Sequence, residues 1–96
     1  MHDRFDWDMA NREHIACHHV TPDETEQVIM SRAPLIVRIQ SRKGEIRSVC
    51  LGLTAKGRYL AVVYTKRGSM TRVVTAYPMN RSQRKVYDET KNKKQE

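Results

Sequence analysis

The side chains best suited to chemistry lie between Lys56 and Tyr87. Lys56, Arg58, Lys66, Arg67 and Arg72 flank two apolar blocks, Leu60 to Tyr64 and Val73 to Tyr77, and Arg81, Arg84 and Lys85 follow at once. Guanidinium groups hold phosphate oxygens in pairs and stabilise negative charge as it builds. Fixed cations at this density repel one another, so the pattern fits a surface that holds a polyanion; the plain competitor is a solvated basic face. A second cluster, His14, Cys17, His18 and His19, invites a metal reading because His14 and His18 stand one helical turn apart. No further ligand is signalled elsewhere and the spacing of structural zinc sites is absent, so no metal or other cofactor is expected. The histidines are then expected to pack against a sheet, each with one nitrogen hydrogen-bonded.

The elements that must position these residues can be read from caps, turns and periodicity. Phe5 and Trp7 alternate with Asp6 and Asp8, which suits a short opening strand or two aromatic anchors. Asp8 caps a first helix over about Met9 to His18, with Ala10, His14, Cys17 and His18 sharing much of one face, Ile15 close by, and Asn11 and Arg12 pointing elsewhere. Thr21-Pro22-Asp23-Glu24 is a capping box with proline at the first helical position, starting a second helix that runs to about Ser31. Beyond Pro34, four strands are expected at Leu35 to Gln40, Ile46 to Thr54, Arg58 to Lys66 and Thr71 to Tyr77. Their turns hold Lys43-Gly44, Lys56-Gly57 and Gly68-Ser69. Connections this short specify an antiparallel meander. The expected fold is therefore α+β: two N-terminal helices on one face of a four-stranded antiparallel sheet, the other face open, then a short C-terminal helix from Arg81 to about Glu89 capped by Asn80 and Gln83. Residues 1–90 form one domain, and 91–96, which lack any apolar side chain, read as a disordered basic tail.

Charge is segregated along the 96 residues. Residues 1–34 carry three Lys or Arg against seven Asp or Glu, net −4, and the remainder carries fifteen against four, net +11. One face is thus suited to nucleic acid and another to a basic partner or solvent. Cys17 and Cys50 lack metal-type spacing and no stretch resembles a signal peptide or a membrane span, so free thiols in a reducing cytoplasm and no membrane partner are expected.

Taken in order, Phe5-Asp6-Trp7-Asp8, Asn11, His14-Ile15, His18, Val20-Thr21-Pro22-Asp23-Glu24, Gly57-Arg58, Val62-Val63-Tyr64-Thr65, Arg67, Arg72-Val73-Val74-Thr75-Ala76, Arg81, Arg84 and Tyr87 resemble the BrnT family of toxins. No single motif is diagnostic; the ordered series is. The resemblance implies a RelE-like fold and a metal-independent endoribonuclease of a type II toxin–antitoxin pair. It also implies inhibition by a cognate antitoxin, oligomers with that antitoxin, and operator DNA bound by the complex. By position, Arg58, Arg67, Arg72 and Arg81 match basic positions of the family, and Tyr87 matches the tyrosine closing its last helix. Where the family typically has a cation after the Thr-Ala pair, this chain has Tyr77, which either stacks on a base or marks altered or lost cleavage. His19 stands in place of a glycine after the first helix, so a non-glycine residue must enter the left-handed region.

Metal-free RNA cleavage sends the 2′-hydroxyl against its own 3′-phosphate. The protein must take one proton, give another and stabilise a phosphorane-like dianion. Family positions and the basic pattern together make Arg58, Arg72, Tyr77, Arg81 and Tyr87 the expected catalytic residues, and Lys56, Lys66, Arg67, Arg84 and Lys85 the expected RNA-binding ones. Arginine serves charge stabilisation only, which leaves Tyr77, Tyr87, Lys56 or a histidine for proton transfer. The competing readings are cross-strand pairing for Arg58 and Arg72, a packing role for Tyr87 and a core position for Tyr64. Of a different class is a non-catalytic module that binds nucleic acid or antitoxin.

Overall fold

A computed structural model describes residues 4–32 and 34–94. The chain order is β1 (Arg4–Phe5), α1 (Met9–Ala16), α2 (Pro22–Ile29), β2 (Leu35–Arg42), β3 (Glu45–Leu53), β4 (Tyr59–Arg67), β5 (Met70–Pro78) and α3 (Arg81–Lys94). The sheet runs β1-β5-β4-β3-β2. Pairs from β2 to β5 are antiparallel, as the short turns require, but β1 lies parallel to β5 through Arg4 and Phe5 opposite Met70 and Thr71. The sheet is therefore five-stranded and mixed, not the expected four antiparallel strands. A two-residue strand carries too little periodicity to be distinguished from an aromatic anchor.

Alternation along β4 builds two cores, one on each face. Leu60 and Val62, with Tyr64 at the margin, join Ile15, Val20, Val28, Cys50, Val73 and Ala76 beneath α1 and α2. Ala61 joins Leu51 and Tyr87 of α3, flanked by Tyr59, Tyr77 and Met79. Each fully buried aliphatic side chain here contributes about 1.5–3 kcal/mol. The second face, expected to be open, is thus covered in part by α3. That helix is also longer than expected: it runs to Lys94, so residues 91–94, taken from sequence as disordered tail, are helical, while 95–96 lie outside the described residues. Composition missed this because beyond Tyr87 the helix carries no apolar side chain. No helix among the described residues is long and apolar enough to cross a membrane.

The first helix is rotated from its expected orientation: Ile15, expected close to the packed face, lies at its centre, and Asn11, expected to point elsewhere, is buried with it. Asn11 and Ile15, one turn apart, are buried at 4% and 0% exposure, whereas Ala10, His14, Cys17 and His18 face solvent. Asn11 decides the matter with its amide. Its Oδ1 accepts from the Asp8 N–H at 2.8 Å, closing the capping box in which Asp8 accepts from the Asn11 N–H. Its Nδ2 donates to the carbonyls of Asp6 and Val73, at 2.9 and 3.1 Å. One side chain so joins the chain after β1, the start of α1 and β5. Arg72 reinforces the junction from outside, pairing with Asp8 at 3.0 Å and Asp6 at 3.4 Å.

The second helix begins as the sequence requires. Thr21 accepts from the Glu24 N–H and Glu24 accepts from the Thr21 N–H. Val28 of α2 sits so close over Gly52 of β3 that a Cβ there would lie 2.9 Å from a Val28 methyl. His19 adopts φ +59°, the left-handed conformation its position demands. Hydrogen bonds from the His18, His19 and Val20 N–H groups to Ile15 and Ala16 carbonyls close that turn.

Burial sets the ranking of these contacts. An Arg72→Ala change should cost under about 1 kcal/mol, because Asp6 and Asp8 remain partly solvated, whereas Asn11→Leu should cost at least about 2 kcal/mol by stranding buried backbone groups. Urea denaturation of the two variants reads that difference. Asp8 is held below the ordinary carboxylate range by its hydrogen bond from Arg72 and by the Asn11 N–H. A lowered native pKa gives stability that is fully present above the unfolded value, about 3.9, and is lost as pH falls through the native one. Thermal melts should therefore drop on acidification in this window, and less steeply in Asp8→Asn.

Candidate active site

The structure divides the sequence-assigned residues into three groups. Arg72 lies at the β1 end of the β4–β5 hairpin, opposite Thr65, while Arg58 just precedes Tyr59 at the other end. Seven residues of strand separate the two ends, roughly 20 Å, so these arginines do not share a phosphate. Arg72 is engaged by Asp6 and Asp8. Arg58 donates from Nη1 to the carbonyl of His19 at 2.6 Å and to Glu24 at 3.0 and 3.2 Å. Burial works against the charge of Glu24, but the Thr21 N–H and Arg58 outweigh it and hold that carboxylate below its usual range. Both arginines thus have carboxylates of the acidic N-terminal third as counterions. The cross-strand pairing weighed for them does not form.

The second group lies at the far ends of the hairpins. Lys66 donates to the Thr71 hydroxyl at 2.7 Å. Arg67 reaches Glu45 at 3.5 Å, beside a shorter Arg47 to Glu45 contact of 2.9 Å. Arg47 was not singled out from sequence. Lys56, in the β3–β4 turn, is exposed.

The third group converges where α1 ends, β4 starts, β5 ends and α3 begins. Because β1 covers β5 only at Met70 and Thr71, no described strand lies along the outer edge of β5 at Tyr77. The His18 ring comes edge-on to Tyr77 there, centroids 6.3 Å apart, and His14 lies 6.1 Å behind His18. Gln83 Nε2 donates to the Tyr77 hydroxyl at 3.1 Å, leaving that O–H free to donate. Gln83 is itself fixed by its capping box with Asn80. Arg58 fastens the adjoining His19 carbonyl, so its contribution here is to position the turn that carries His18.

On α3, Arg81, Arg84 and Lys85 are exposed. The Arg84 guanidinium stacks on Tyr59, 4.0 Å from the ring centroid, a cation–π contact that holds it flat without neutralising it. Tyr59 donates to Asp88 at 3.0 Å, and its ring meets Tyr87 edge-on at 5.9 Å. Tyr87 is 8% exposed, and burial pushes its hydroxyl above the ordinary range. Its place is in the core under α3, the packing role weighed from sequence. Tyr64 is half-buried at the margin of the other core.

Gln83 thus joins Tyr77 to the first turn of α3, the helix that also carries exposed Arg81 and Arg84, whereas Arg72 is engaged by carboxylates and Tyr87 is buried. Sequence reasoning named a histidine without choosing one and missed Tyr59 and Gln83. The sign of His18 was legible only after the buried face of α1 had been assigned correctly. An imidazole and a phenol in ring contact, and a helix start that carries exposed guanidinium groups, are groups of the kinds that bind a phosphodiester and transfer protons. No curated protein matches the chain. The family model of the ribonuclease toxin BrnT, of type II toxin–antitoxin systems, matches residues 7–83, most of the chain, and the protein belongs to that family.

Proposed function

We propose that the protein is an endoribonuclease that cleaves RNA without a metal, at the site formed by His18, Tyr77 and the first turns of α3. The observation that carries this reading is the contact of the His18 and Tyr77 rings, with Gln83 joining Tyr77 to the start of the helix that presents Arg81 and Arg84 to solvent. RNA lies along α3, its phosphates on Arg81, Arg84 and Lys85. His18 takes the 2′-hydroxyl proton, Tyr77 donates to the leaving oxygen or stacks on the flanking base, and Arg81 stabilises the dianion. Tyr77 in place of a cation then changes the donor without removing the reaction.

The family supplies the remaining frame: a protein antitoxin as partner and RNA as target. That the toxin–antitoxin complex forms higher oligomers and binds its operator DNA is part of the same proposal. So is a cytoplasmic location, with which the free thiols of Cys17 and Cys50 agree.

The test is cleavage of a mixed single-stranded RNA by the purified protein in EDTA, with product ends read. Cyclic-phosphate ends are expected. His18→Gln and Tyr77→Phe should each slow cleavage by about 100-fold at unchanged RNA affinity, and Arg72→Ala should stay within a few-fold of the parent at a temperature where it is folded. RNA that binds but stays intact would favour the non-catalytic module, and loss confined to Arg72→Ala would move the active site to the other end of the hairpin.

A further inference from the structure

The helix-side face of the sheet is covered at one end only. Val28 of α2 closes over Gly52, but the cross-strand pairs farther along β3, Ile39 with Ser48 and Ser41 with Ile46, lie beyond it. Ile39 is 68% exposed and Ile46 62%. Beside them a groove of about 540 Å³ is lined in part by Ile46, Ser48, Tyr64 and Lys66. β2 closes the sheet, and no described segment pairs with its outer edge. The register shift at Val37 interrupts β2, but pairing from Arg38 to Arg42 is regular, which leaves a short straight edge able to accept another strand.

We infer that this edge and the adjoining isoleucines are the docking surface for an extended segment of the antitoxin protein that alternates apolar and acidic side chains. The inference rests on the toxin reading, since that supplies the partner. Charge selects the occupant. Residues 35–48 carry Arg38, Arg42, Lys43 and Arg47 against Glu45 alone, and Glu45 is already held by Arg47 and Arg67. A second copy of the chain would set exposed Arg38 and Lys43 against their own kind, whereas an acidic strand relieves that repulsion while its apolar side chains cover Ile39 and Ile46. The surface lies away from His18 and Tyr77, so docking here tethers the antitoxin without occupying the proposed RNA site.

The probe is a short synthetic peptide alternating Val and Glu, titrated to near-millimolar concentration into the isotope-labelled full chain, with a Val–Lys counterpart as control. Saturable amide shifts confined to β2 and its neighbours are expected with the Glu peptide. The affinity should fall at least about tenfold in Ile39→Asp, and RNA cleavage by that variant should equal the parent's. The inference is overturned by absent or scattered shifts, by equal binding of the Lys peptide, or by a dimer of the protein alone that Ile39→Asp dissociates. RNA left intact by a parent protein that still binds the Glu peptide at β2 would sink the nuclease reading and leave the docking surface standing.

Discussion

The buried amide of Asn11 is the contact on which the arrangement depends. Three hydrogen bonds from one side chain fix where β1 ends, where α1 starts and how α1 lies on β5. The bond to the Val73 carbonyl is buried and the other two are partly so, and Asn11 itself is 4% exposed, so turning the helix about its axis would strand these groups at a cost. The orientation they hold turns Ile15 inward and His14 and His18 outward. Without it, the imidazole of His18 would not meet Tyr77 at the outer edge of β5.

The charge segregation of the sequence acquires a structural meaning from the same geometry. Aspartates 6 and 8 and Glu24 belong to the acidic N-terminal third, and they engage Arg72 and Arg58 of the basic remainder. Acid and base are thus joined within the molecule where the helices cross the hairpin. Exposed cations remain at Arg38, Lys43, Lys56, Lys66 and Arg67 as well as at the start of α3, where Arg84 rests on an aromatic ring rather than on a carboxylate. Burial separates the two tyrosines in the same way: Tyr87 is committed to packing, and Tyr77 presents its hydroxyl to Gln83 and its edge to His18.

Much of this was legible in the residues themselves. The Asp8 cap, the capping boxes at Thr21 and Asn80 and the order of β2 to β5 follow from caps and short turns, and the left-handed His19 from the glycine that the family has at its place. The rest depended on contacts distant in sequence. Asn11 reads as a solvent-facing helix residue until Val73, far along the chain, supplies an acceptor. A two-residue parallel strand has no pattern to detect, and the last turn of α3 carries no apolar side chain and so reads as a tail. The arginines were recognised as functional by position in the family series, but a sequence does not show which of them find carboxylates in the fold.

The central claim is that the α3 cations, and not the hairpin arginines, meet the nucleic acid. The salt dependence of single-stranded RNA affinity tests it directly, since each phosphate contact contributes a slope of about 0.7 in log affinity against log salt. Replacing Arg81 and Lys85 together by Gln should flatten the slope by about 1.4, and replacing Arg58 by Met should leave it unchanged. A slope that flattens with Arg58 or Arg72 and is indifferent to Arg81 and Lys85 would contradict the account.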